Sequence, residues 1–199
     1  MSSIKGRPSA TGIRGEKLRE AVLDAAETLL RDGKADFSMR DLAARAGVSF
    51  ATPFNQFGSK AAIMHALSAR RIDTMAARFA DAPPLPDAVD RILLATSIAA
   101  HVMLEDARVN RAVMGWIGAA TPNTGQVLAH SSALWTLALG SGEGLIVRRE
   151  GALQSLPTHL AFAFRGVLSF WTAGELPDDA LEPSARELAM ALLSGFVGE

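Results

Sequence analysis

Cysteine nucleophiles, thiolate metal sites and disulfides are excluded from this chain, because its 199 residues include no cysteine, and it has no tyrosine either. The histidines at 65, 101, 130 and 159 are never spaced i, i+4 and have no carboxylate pattern beside them. No metal site is therefore expected. No motif sets a serine, a histidine and an acid together, and no carboxylate pair stands out for acid–base work. Gly140-Ser-Gly-Glu-Gly144 has the glycines of a phosphate-cradling loop but lacks the preceding strand and the lysine, so a flexible helix end accounts for it better. The dense constellation is instead Ser38 to Phe57, where a short helix, a turn containing glycine and a second short helix form a helix-turn-helix. Its chemistry is recognition: an unpacked helix edge offering Phe50, Ala51, Thr52 and Asn55 suits the major groove, where such helices meet base edges.

Helical spacing runs through nearly all of the chain and dictates how that edge is held. Leu18, Val22, Ala25, Ala26 and Leu29 recur at steps of three and four, with Glu16, Glu20, Asp24 and Glu27 on the other faces. Asp32-Gly33 closes this helix, with Gly33 as a left-handed cap. Ser38, with Asp41 three residues on, reads as an N-cap close to a capping box. Leu42, Ala46 and Val48 supply an apolar wedge, Ala43 is small where the next helix approaches, and Gly47 provides the positive φ of the turn. Ser49 caps a short helix to about Phe57, and Gly58-Ser59-Lys60 restarts the chain into a helix over about 59–80.

Pro83, Pro84 and Pro86 mark the sharpest boundary. Beyond it helices are expected at about 86–105, 107–119, 122–141, 156–174 and 183–197. Pro122, Pro157 and Pro183 fall near first turns, where a missing N–H is harmless. Leu145–Arg149 reads as a linker rather than a strand. The fold class is all-α: an N-terminal three-helix helix-turn-helix domain over 1–60 and a C-terminal helical domain over 61–199.

Charge divides along the same line. Residues 1–80 hold thirteen Lys and Arg against eight Asp and Glu, and residues 81–199 hold seven against thirteen. Such asymmetry points the first part toward a polyanion, although chance clustering gives the same count. Ser38 and Ser59 add helix starts able to receive phosphate. Ser2–Gly15, with Lys5, Arg7 and Arg14, is either a basic arm for the minor groove or a solvated tail. Apolar residues make up 49% of the chain, which excludes global disorder. No apolar run is long enough for a membrane span, and the opening fifteen residues are no secretory signal, so a cytoplasmic protein is expected.

The run Phe37-Ser-Met-Arg-Asp-Leu-Ala-Ala-Arg-Ala-Gly-Val-Ser, followed by Phe57-Gly-Ser-Lys60 within Leu18–Leu67, resembles the N-terminal domain of TetR/AcrR-type transcriptional regulators. The resemblance implies an all-helical homodimer, usually a repressor, that binds double-stranded operator DNA through its first three helices. It implies that Phe50, Ala51, Thr52 and Pro53 face the bases. Arg40 then falls near a phosphate, Asn55 reaches a base or phosphate, and Lys60 holds a phosphate at the next helix start. Ser38 and Ser49 complete the expected DNA-contacting set. Two departures stand out: Phe54 occupies the place of a common phosphate-binding tyrosine, and Pro53 stiffens the first turn of the recognition helix.

Wide apolar arcs over 86–199 fit either a plain core or a small-molecule pocket. Met103, Trp116, Trp135 and Phe162 supply bulk there, and His101, His130 and Arg165 supply polar groups. The resemblance favours the pocket and makes these seven residues the candidate effector contacts. With no lysine or tyrosine after residue 60, a neutral, largely apolar effector fits better than an anionic one, which would need Arg165. In the family the last two long helices pair with their twins, which makes Gly166, Leu168, Ser169, Phe170, Leu188 and Leu192 the candidate dimer seam; these faces could equally cover the monomer core. The reading is a ligand-responsive DNA-binding regulator, released from a palindromic operator by its effector, with no cofactor and no enzymatic activity. A helical protein–protein adaptor, or an enzyme without a recognisable motif, is the alternative.

Overall fold

The computed structural model describes residues 10–117, 126–147 and 150–197. Among them are nine helices and no strand: α1 (Ala10–Arg31), α2 (Met39–Ala46), α3 (Ala51–Phe57), α4 (Lys60–Asp81), α5 (Ala88–Glu105), α6 (Ala107–Ile117), α7 (Gln126–Leu139), α8 (Ala152–Ala173) and α9 (Asp178–Leu193). The chain separates into two compact units, Met1–Ala66 and Leu67–Glu199, and the division falls inside α4. None of the helices described is long and apolar enough to cross a membrane.

Local signals set the first unit. Gly33 follows α1 at φ 81° and ends it. The hydroxyl of Ser38 accepts from the Asp41 amide, and the Asp41 carboxylate accepts from the Ser38 amide, a complete capping box. Those two hydrogen bonds, backbone first, hold the Asp41 carboxyl below its ordinary value. Gly47 closes α2 at φ 64° with its N–H on the carbonyls of Ala43 and Ala44. The core beneath is Val22, Ala26, Leu29, Leu30, Phe37, Leu42, Ala43, Ile63 and Met64, all buried.

In the second unit, small residues on α5 (Ala88, Ala95, Ala99, Ala100) let α7 and α9 approach closely, while Trp135, Leu156, Leu160, Trp171, Leu181 and Leu193 fill the space between helices. Polar ties fix the ends. Asn110 is buried and donates to the carbonyls of Val102 and Met103 in the last turn of α5, while Arg71 Nε donates to its Oδ1 at 2.8 Å. Arg111 lies over the Trp171 ring at 4.4 Å and donates to Asp178 Oδ1 at 2.6 Å, the same oxygen that accepts from Trp171 Nε1.

Helix starts in this unit differ from those expected. α8 begins at Ala152 and α9 at Asp178, so Pro157 and Pro183 are the sixth residues of their helices rather than first-turn residues. Each helix gives up one hydrogen bond, to the carbonyl four residues back. Gly151, in the left-handed region at φ 75°, starts α8, and the carboxylates of Asp178 and Asp179 suit the positive end of α9. The expected start at Pro122 lies outside the described residues. So do Arg148 and Arg149 of the expected linker; residues 145–147 are non-helical.

The glycine run after α7 is a fastened helix end. Gly140, Gly142 and Gly144 all have positive φ. Arg91 donates to the carbonyls of Leu85, Pro86, Ala138 and Leu139 and pairs with the Glu143 carboxylate. Ser141, the local backbone and Arg91, in that order, lower the Glu143 carboxyl to about 2. A loop that carries its own carboxylate and has its cation committed to protein carbonyls is unsuited to cradling a phosphate.

Candidate nucleic-acid interface

Packing decides which edge of α3 is free. Pro53 is buried, and Thr52, Gln56 and Phe57 are half-buried, so this side of α3 faces the domain. Phe50, Ala51, Phe54 and Asn55 are exposed on the other side. Pro53 therefore does not face the bases: it packs inward as the third residue of α3, where its missing N–H costs no helical bond. The expected side-chain cap from Ser49 is also absent. Phe50 holds the N-cap position in a helical conformation, and the Ser49 hydroxyl meets the Thr52 hydroxyl at 2.8 Å instead.

The exposed edge is aromatic. Phe50 is 54% exposed and Phe54 44%, and their rings meet edge to face with centroids 5.6 Å apart. An i, i+4 pair on a helix is placed for this contact. The Arg40 guanidinium on α2 lies 5.7 Å from the Phe50 ring centre, within cation–π reach. Arg40 is exposed, as a phosphate contact must be.

Three attachments fix α3 and the segments that flank it. Arg19 on α1 donates to the Gln56 carbonyl at 3.3 Å and stacks over the Phe57 ring at 4.2 Å. Gly58, at φ 75°, donates back to the Phe54 carbonyl at 2.8 Å. Lys60 makes the third. Its ammonium donates to the carbonyls of Ala35 at 2.7 Å and Phe37 at 2.9 Å and lies over the Phe37 ring at 4.2 Å. Burial lowers its pKa. Lys60 thus clamps the α1–α2 loop rather than reaching out to a phosphate. Ser38 is likewise occupied within its capping box, where its hydroxyl donates to Asp41 Oδ2 at 2.8 Å. At the start of α4, Ser59 Oγ accepts from the Ala62 amide. The roles of Arg19, Gln56 and Phe57 were missed from sequence, since no local pattern pairs residue 19 with residue 56.

Of the expected arm, Met1–Ser9 lie outside the described residues, and the chain from Ala10 onward already belongs to α1.

The second unit separates its seven candidate effector contacts. Met103 and Trp135 are core residues, and Trp135 packs edge to face on Phe164 at 5.7 Å. Arg165 is half-buried and donates to Met114 Sδ at 3.4 Å; desolvation lowers its pKa. His101 is exposed and lies 3.1 Å from Glu182, and His130 lies 3.3 Å from Asp73, so both are surface partners of carboxylates rather than anchors in an apolar wall. Trp116 stands at the surface, and Phe162 is 55% exposed.

Phe162 falls on one strip of α8 with Gly166, Ser169 and Phe170, all exposed, the last at 59%. Leu168 is buried in the core and Leu192 packs against it, so neither is an open seam residue. Leu188 and Met190 are the exposed large apolar residues of α9.

Comparison with known proteins places this geometry. Residues 22–67 match the family "Bacterial regulatory proteins, tetR family". No curated protein matches the chain. Among solved structures, a TetR transcriptional regulator from Rhodococcus sp. RHA1 is similar at 22% identity, covering 89% of this chain and 97% of that one, with a TM-score of 0.74. TylP, a TetR regulator from Streptomyces fradiae, is 16% identical over 93% of this chain and 89% of its own, with a TM-score of 0.58. The TetR-family transcriptional regulator PfmR from Thermus thermophilus is 18% identical over 87% and 97%, with a TM-score of 0.51. Residues 22–67 thus match the tetR family of bacterial regulatory proteins, and the fold is that of solved TetR-family regulators.

Proposed function

We propose that this protein is a homodimeric repressor that binds a palindromic operator and leaves it when a small, largely apolar effector is bound. The observation that carries the DNA-binding part is the edge of α3, where Phe50, Ala51, Phe54 and Asn55 stand exposed while Pro53 is buried and Thr52, Gln56 and Phe57 are half-buried. Arg40 beside Phe50 supplies a phosphate contact that orients the helix. Residues 1–60 take the DNA and residues 61–199 take the effector and the second protomer. The exposed strip Phe162, Gly166, Ser169 and Phe170, with Leu188 on α9, is the twofold seam. A dimer sets two copies of α3 against half-sites about one DNA turn apart. Within the second unit, half-buried Arg165 beside Met114 remains the candidate effector contact, Met103 and Trp135 being core residues.

Release follows from linkage. An effector that prefers the arrangement in which the two copies of α3 no longer match the groove spacing weakens DNA binding by its differential affinity. A coupling of about 1–3 kcal/mol changes operator affinity by roughly 5- to 150-fold. The test is selection of bound duplexes from a random library, followed by gel shift of the enriched site and mass spectrometry of small molecules that copurify. A twofold-symmetric enriched site, weakened by the copurifying molecule, is expected. Failure of any duplex to enrich refutes DNA recognition; an operator affinity that stays fixed as the bound molecule saturates the protein refutes effector release.

A further inference from the structure

The exposed edge of α3 is poor in hydrogen-bonding groups. Of Phe50, Ala51, Phe54 and Asn55, only Asn55 carries a polar side chain, and α3 contains no lysine or arginine. The Thr52 hydroxyl is half-buried and engaged by Ser49 at 2.8 Å. Guanine is read mainly by arginine or lysine, which this edge lacks. What it offers instead is two benzene rings and a methyl group, and the apolar feature of the major groove is the C5-methyl of thymine. Asn55 fits the same base pair, because an asparagine amide pairs with the N6 and N7 edge of adenine. The rings are pinned: Phe54 braces Phe50 edge-on, and Arg40 lies over the Phe50 face. The surplus of cations over residues 1–80 favours a polyanion as the occupant of this aromatic edge over an apolar protein segment.

Resting on the regulator reading above, we propose that Phe50 and Ala51 read thymine methyl groups, so that α3 selects its half-site by apolar contact with A·T pairs. Removing one buried methyl from such a contact lowers affinity about fourfold, and removing it from both half-sites lowers affinity about fifteenfold.

The experiment takes the full-length protein and the duplex enriched from a random library. Each thymine of the half-site is replaced in turn by deoxyuridine, which removes the methyl and leaves every hydrogen-bonding group in place. Kd is measured at one fixed salt concentration for each duplex. One or two positions per half-site are expected to lose about fourfold, and Phe50→Ala is expected to abolish the thymine–uracil difference at one of them. Circular dichroism checks the fold of that variant, and the comparison of the two duplexes on the unaltered protein stands without it. An enriched operator that binds equally well with uracil at every position, or a half-site whose α3-facing steps are G·C, overturns the proposal and leaves the regulator reading intact. Enrichment of no duplex at all overturns both.

Discussion

Replacing Lys60 by methionine separates a structural clamp from a phosphate contact. The ammonium satisfies two carbonyls of the α1–α2 loop, those of Ala35 and Phe37, and faces the Phe37 ring. Methionine keeps most of the apolar stem and removes only the donors and the charge. The Ala35 carbonyl belongs to an exposed residue and can hydrate, whereas Phe37 is buried and its carbonyl has less recourse to water. One charge-assisted hydrogen bond is then lost without full replacement, together with a partly screened cation–π contact, for about 1–2 kcal/mol. Loss on that scale makes local opening of the loop and α2 roughly 5 to 30 times more frequent. Amide hydrogen exchange followed by mass spectrometry should show this speed-up in peptides covering residues 34–46 and no change across α8. The salt dependence of operator binding gives the second reading. Removing one phosphate contact per half-site would flatten the slope of log K against log salt by about 0.9 for each contact. The slope is expected to stay unchanged. Unaltered exchange together with a flatter slope would refute the clamp and restore Lys60 to the phosphate.

Three further outcomes follow from the second unit and the seam. Asn110→Ala leaves the Val102 and Met103 carbonyls and the Arg71 guanidinium without their amide partner, and should cost about 2–4 kcal/mol in urea unfolding followed by tryptophan fluorescence, all three tryptophans lying in this unit. Glu143 has its carboxyl lowered from 4.5 to about 2, so its contribution to stability is fully present above pH 4.5 and is lost as pH falls toward 2. Glu143→Gln should therefore lower Tm by a constant amount above about pH 5, with the gap to the unaltered protein closing below it. A double change of Phe162 and Phe170 to serine removes two exposed rings from one strip of α8 and should yield a folded monomer by sedimentation, with operator affinity reduced at least tenfold.

Legibility in the sequence followed the range of the interactions. The two ends of α2 could be read residue by residue, because the capping box spans only Ser38 to Asp41 and Gly47 acts on its own φ, whereas the Ser49 cap expected for α3 does not form. Of the expected outward residues of α3, Phe50, Ala51 and Asn55 are exposed, whereas Thr52 is half-buried and Pro53 buried, because their direction depends on how the short helix is rotated against α1. Lys60 misled because its acceptors lie 23 and 25 residues back, so its sequence neighbourhood shows only a cation at a helix start. His101 and His130 misled in the same way: Glu182 and Asp73 meet them across helices. Pro157 and Pro183 suggested helix starts because first turns tolerate proline best, yet Gly151 and the Asp178–Asp179 pair outweighed them upstream. On α8, Leu168 and Phe170 are equally apolar and two residues apart; only packing assigns one to the core and the other to the surface.

The exposure of the α3 rings has an energetic side that bears on what they are for. A phenylalanine side chain presents on the order of 200 Å² in full, so half-exposed rings leave on the order of 100 Å² each in water, about 2.5 kcal/mol apiece forgone relative to burial. Rotating α3 by about a third of a turn would carry Phe54 toward the side that Pro53 now occupies. Arg19, on the Gln56 carbonyl and the half-buried Phe57 ring, opposes that turn. If that tie is what holds the rings outward, Arg19→Ala should let α3 turn inward. Exposure at Phe50 and Phe54 would then fall, seen as reduced binding of a hydrophobic dye, while operator affinity falls with stability unchanged or raised. A variant that loses stability and keeps its dye binding would show that Arg19 merely secures the helix, and that the outward rings are set by Pro53 packing beneath them.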